Sequence, residues 1–164
     1  MDFEEDEADE VPFDPMEAHK FFAINLYNQV WDLIEKPNRT EEDNTLMLDA
    51  AYASAYHWLQ VGTPVNFQRS EWQLARVNIV LGNKEAAMQH AQKCFALTQE
   101  HRLIDFDLAF AYETMARAFA LNGKSTEYEQ YKALAVKASE QIEDADDREV
   151  FIKDLNSGPW FGFN

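Results

Sequence analysis

His57, set between Tyr56 and Trp58, is the side chain whose type best suits proton transfer, because histidine alone titrates near neutral pH without help. Catalysis would need a carboxylate held against it, and Glu71 or Glu113 would have to be brought from elsewhere in the chain. The competing reading is a partly buried histidine whose ring nitrogens are satisfied by neighbours. His19, His57, His90 and His101 do not have the spacing of metal ligands. Even His90 and His101, on one predicted helix, stand ~16 Å apart at ~1.5 Å of rise per residue, so no metal site is expected. The sequence also contains no Gly-rich phosphate loop, Gly-x-Ser-x-Gly elbow, His-Glu-x-x-His pair or Cys-x-x-Cys pair, so no cofactor is expected either. Cys94, the single cysteine, lies in an apolar helical stretch where a thiol behaves as a small hydrophobe, which points to a reducing compartment.

Charge narrows the partners. Thirty acidic against fourteen basic side chains give a formal net charge of −16, which repels phosphate backbones and anionic lipid surfaces. Neither nucleic acid nor a membrane is an expected partner. Asp2, Glu4, Glu5, Asp6, Glu7, Asp9, Glu10 and Asp14 carry half of that excess with no base among them, so residues 1–13 are predicted to form a disordered acidic tail. No basic region followed by an apolar core opens the chain, and no apolar run is long enough to span a bilayer, so a cytoplasmic protein is expected.

The elements that would position these side chains are helices. A chain of 164 residues with 46% apolar and 13% aromatic residues but only five Gly and five Pro has the core material of one all-α domain, predicted over residues 15–155. Asp14-Pro15-Met16-Glu17 places an N-cap, a proline at the first helical position and a glutamate three residues on, which predicts a first helix to about Lys36. Thr40 followed by Glu41-Glu42-Asp43 opens a second to about Gln60, stopped by Gly62-Thr63-Pro64. A third is predicted over about 69–81, ending at Gly82, and a fourth, capped by Asn83, to about His101. A fifth ends at Asn122-Gly123, and a sixth, capped by Ser125 or Thr126, runs to about Ile142. A short seventh over about 146–155 closes the set, leaving 156–164 as an aromatic extension with Trp160, Phe161 and Phe163. Paired, these helices make hairpins over about 15–62, 69–101 and 105–142.

The sequence also repeats itself. Placing Gly82 over Gly123 superimposes Leu74 on Met115, Ala75 on Ala116 and Arg76 on Arg117, at an offset of 41 residues. Large and small apolar residues in one helix, a Gly turn and then a small stripe such as Ala87, Ala91 and Cys94 resemble a tetratricopeptide motif. The usual repeat is shorter and ends in proline, and the second unit carries Tyr128, Tyr131 and Ala135 on that stripe. The stretches Ala50–Asn66 and Asp105–Glu113 also resemble a group of bacterial proteins of similar length with no assigned function.

The tetratricopeptide resemblance implies a short right-handed array of six to seven helices, in which the first helices of successive hairpins line a concave groove. Carried over, the groove positions are Arg69, Trp72, Arg76, Phe110, Glu113 and Arg117. A guanidinium is a rigid fork of donors that fits a carboxylate, so this groove is expected to hold a protein or peptide segment, or a small carboxylate ligand. The structural alternative is that Arg76 pairs with Glu113 across neighbouring helices and Arg117 with a nearby acid. The expected function is therefore a protein- or peptide-binding helical-repeat module. Two other readings stand beside it: an enzyme using His57, next to Tyr56, with a nearby carboxylate, and a structural subunit that homo-oligomerises through its C-terminal aromatics.

Overall fold

Asp14 opens the first helix through its own side chain, which accepts the Met16 amide at 2.9 Å while Pro15 fills a position that needs no amide hydrogen. The structure, a computed structural model, describes residues 13–163, so the predicted acidic tail lies outside the described residues except for Phe13. Helix α1 spans Pro15–Glu35, α2 Glu41–Val61, α3 Pro64–Leu81, α4 Lys84–Glu100, α5 Asp105–Leu121, α6 Ser125–Ser139 and α7 Ala145–Leu155. There are seven helices and no strand among the described residues. None is long and apolar enough to cross a membrane.

Thr40 and Asp43 close a capping box at α2: the Asp43 amide donates to Thr40 Oγ1 at 3.1 Å and the Thr40 amide to Asp43 Oδ2 at 2.9 Å. Gly82 and Gly123 end α3 and α5 with backbone φ of 74° and 71°. In each case the next amide reaches back five residues, Asn83 N to Asn78 O at 2.9 Å and Lys124 N to Phe119 O at 3.0 Å. These are equivalent turns, and the sequence repeat marks them because a left-handed residue suits glycine.

Four features of the helix ends differ from expectation. Helix α3 starts at Pro64, not near Arg69, because the proline that stops α2 also serves as the first residue of α3, with the Thr63 amide donating to Asn66 Oδ1 at 2.9 Å. Asn83 does not cap α4 with its side chain, which donates instead to Asn78 Oδ1 at 3.0 Å. Neither Ser125 nor Thr126 caps α6, whose flanking residue is Lys124, and the helix ends at Ser139 so that Ile142 can turn, fully buried, into the core beside Phe151.

Helices pack in adjacent pairs, α1 with α2, α3 with α4 and α5 with α6, and α2 on α3 and α4 on α5 join the pairs. Connections this short make the members of each pair antiparallel. Val30, Leu33, Met47, Ala50, Ala51, Leu74 and Val77 form the core between the first two pairs. Ala75, Ala87, Ala91, Cys94 and Ala116 are fully buried, and such small side chains let the helices of the second and third pairs approach closely. Helix α7 packs on α5 and α6.

Candidate functional site

Arg76 on α3 and Arg117 on α5 occupy equivalent places in the repeat, and both reach one buried carboxylate. Arg76 Nη2 donates to Glu113 Oε1 and Oε2 at 3.1 and 3.2 Å, while Arg117 Nε, one helical turn from Glu113 along α5, donates to Oε1. Helix α7 supplies the second acid. Asp154 accepts from Arg76 Nη1 at 3.0 Å and Nη2 at 2.5 Å and lies 3.9 Å from Arg117. Arg117 then donates to three main-chain carbonyls, of Asp154 at 2.7 Å, Ser157 at 3.2 Å and Pro159 at 3.2 Å, and its guanidinium stacks 4.1 Å from the Trp160 ring.

Arg117 and Glu113 have no exposed surface and Arg76 retains 4%. Charges so deep persist only when paired and hydrogen-bonded. Two guanidiniums and two carboxylates give a net charge of zero, which meets the pairing requirement, and Arg76 Nε is left as the network nitrogen without an acceptor among the described residues. Burial alone would lower the Arg76 pKa, but Glu113 and Asp154 outweigh it and hold the guanidinium above its ordinary value. Burial likewise pushes the Asp154 carboxyl up, yet the Arg76 hydrogen bonds and the two positive charges leave it below the usual carboxylate range. A carboxyl with a depressed folded pKa stabilises at neutral pH and loses that contribution as pH falls through the folded value. Wild type should therefore keep this contribution down to the ordinary carboxylate range and lose it as pH falls below that range. Asp154→Asn should show a lower melting temperature at pH 7 and a shallower further fall from pH 5 to pH 2.5; parallel pH curves would refute the assignment.

Arg76, Arg117 and Glu113, named from the sequence, are thus brought together, but as an internal ion network. Arg69 stands apart, paired with Asp107 at 2.8 and 3.3 Å on a half-open surface. Trp72 and Phe110 belong to an aromatic ladder running across the first helices of the pairs. Trp31 and Trp72 have ring centroids 5.1 Å apart, Trp72 and Phe110 4.5 Å, and Phe110 and Phe151 4.8 Å.

A cleft of ≈ 700 Å³ remains open between α1 and α7. Trp31, Ile34, Val80, Val150 and Pro159 give it apolar walls; Glu35, Arg39, Lys153 and Asp154 line it too, and Arg76 is the one residue of the expected groove set that borders it. Although Arg76 is almost wholly buried, its Nε has no hydrogen-bond partner among the described residues. That nitrogen is shielded from solvent, so the donor stays unsatisfied at a cost to the network and is not reached from the open cleft. Arg39 is fixed at the rim, donating to the carbonyls of Leu33 at 3.3 Å and Ile34 at 2.8 Å and to Asn44 Oδ1 at 3.2 Å. Lys153 is exposed on α7. Trp31 lies one repeat offset before Trp72, a signal that places it on the same face. Arg39, Lys153 and Asp154 have no such signal, because they reach the cleft through tertiary packing.

His57 is half-buried, its Nδ1 2.8 Å from Nδ1 of His19 on α1, with the Phe22 ring 5.4 Å away. Burial, then the neighbouring His19, hold its pKa below the ordinary histidine value, so it favours the neutral form. Neither expected carboxylate partner serves it. Glu113 is committed to the arginines, and Glu71 accepts from His90 Nδ1 at 2.6 Å. Tyr56 is 58% exposed beside it.

Of the C-terminal aromatics, Trp160 and Phe163 fold back on the chain, whereas Phe161 stays exposed. Trp160 Nε1 donates to Leu155 O at 3.1 Å, and Tyr128 on α6 packs against Trp160 and Phe163 with centroids at 5.7 and 4.8 Å. Comparison with protein-family models, with curated proteins and with solved structures returns no match, so function has to be read from the geometry of this chain alone.

Proposed function

We propose that this chain is a binding module that holds a protein or peptide segment in the cleft between α1 and α7, with a carboxylate of the segment turned toward Arg39 and Lys153. The observation that carries this reading is the cleft of ≈ 700 Å³ itself, where Trp31, Ile34 and Val80 stand beside the basic side chains of Arg39 and Lys153. Apolar walls with a few placed polar groups suit recognition of a small segment, and Arg39 and Lys153 favour an acid there in a chain otherwise strongly negative. The resemblance of the sequence to tetratricopeptide repeats, whose first helices line a binding groove, supports the same reading.

The test is a thermal-shift screen of short peptides with free C-terminal carboxylates against their amidated counterparts, since a ligand of the folded state alone raises the melting temperature. A free-carboxylate peptide should stabilise wild type more than its amide. Lys153→Glu, exposed and outside the buried network, should weaken that peptide about tenfold, equivalent to about 1.4 kcal/mol. Peptides that shift wild type and Lys153→Glu equally would place binding elsewhere.

A further inference from the structure

A second constellation lies outside the cleft and involves none of its residues. His90 of α4 bridges two side chains from different helices: its Nδ1 is 2.6 Å from Glu71 Oε2 on α3, and its Nε2 is 2.9 Å from the Tyr52 hydroxyl on α2. A carboxylate can only accept, so Nδ1 carries a proton, and in the neutral ring the Nε2 lone pair accepts from the phenol O–H. His90 is 7% exposed, which fixes the ring between its two partners, whereas Tyr52 is 46% exposed and open to reagents in solution. Carboxylate, imidazole and hydroxyl in that order form the arrangement that activates a hydroxyl by general-base catalysis.

We propose that Tyr52 is a nucleophilic site that accepts acyl groups from activated acyl donors, such as acyl-imidazoles and aryl esters, with His90 as its base. The Tyr52 oxygen bonds to the carbonyl carbon as its proton passes to His90 Nε2. The adduct then collapses, the bond from the carbonyl carbon to the leaving group breaks, and that group departs with the electron pair and takes the proton from His90. The product is Tyr52 esterified on its phenol oxygen, and the step needs no oxidant, reductant or metal. Glu71 is a positioning residue, holding the Nδ1 proton so that Nε2 stays an acceptor.

Tyr56 provides an internal control, since it lies one turn along α2, is 58% exposed and has no bond to His90. The experiment treats the full chain with N-acetylimidazole and follows each tyrosine by peptide mass spectrometry over time. General-base assistance contributes about 100-fold or more, so Tyr52 should acetylate about 100 times faster than Tyr56. His90→Gln should bring the two rates together, and Glu71→Gln should reduce the ratio about tenfold while Tyr56 reacts as before. A wild-type ratio within about threefold of one overturns the proposal without recourse to any variant, because an unassisted exposed phenol would behave as Tyr56 does. A high ratio that persists in folded His90→Gln also overturns it, by showing that the imidazole only ties α2 to α4.

Discussion

Glu113→Gln should lower the unfolding free energy by about 3–5 kcal/mol, the range for removing one partner of a buried ion pair. The change is isosteric, but the amide NH2 cannot accept, so the loss reports both the missing charge and one acceptor withdrawn from the arginines. Arg76 and Arg117 would stay buried with Asp154 as their remaining counter-ion, and Asp154 lies 3.9 Å from Arg117. Asp107→Asn, which breaks the half-open pair with Arg69, should cost at most about 1 kcal/mol. Urea denaturation of both variants makes the comparison. A loss below about 1 kcal/mol for Glu113→Gln would mean that the network contributes orientation without net stability.

That contrast between two arginine pairs was only partly legible in the sequence. The caps at Asp14 and Thr40 and the turns at Gly82 and Gly123 could be read because each depends on residues within five positions of one another. The repeat offset carried Arg76 and Arg117 to equivalent places, and Glu113 could be named as a partner because it belongs to the same repeat unit. Asp154 could not, since it meets Arg76 across 78 residues and sits on a helix outside the repeat. Likewise Pro64 is a stop signal for one helix and a start signal for the next, and a local reading assigned it the first role alone. His57 looked chemical by residue type, yet the imidazole held between a carboxylate and a hydroxyl is that of His90, whose partners lie 19 and 38 residues away.

The other large effect is expected at α7. Helix α7 is 11 residues long and buries only Phe151 and Leu155, so it is held by few side chains and would not be stable in isolation. Phe151 has no exposed surface and meets the Phe110 ring edge-on at 4.8 Å, next to Ile142 and Leu155. Phe151→Ala should cost about 3–5 kcal/mol as a large-to-small core change, whereas Phe161→Ala, at a 39% exposed position, should stay within about 0.5 kcal/mol. Hydrogen exchange should show where the loss falls. Amides of 145–155 should exchange faster in Phe151→Ala while those of α2 and α3 keep their protection, because α1, α2 and α3 share their own core in Val30, Met47, Leu74 and Val77. Uniform loss of protection would instead make α7 part of one cooperative unit with the rest. Since α7 supplies Val150, Lys153 and Asp154 to the cleft, local release should also abolish peptide stabilisation in Phe151→Ala even at temperatures where α1 to α6 remain folded. Binding that survives the release of α7 would restrict the ligand's contacts to α1 and α3.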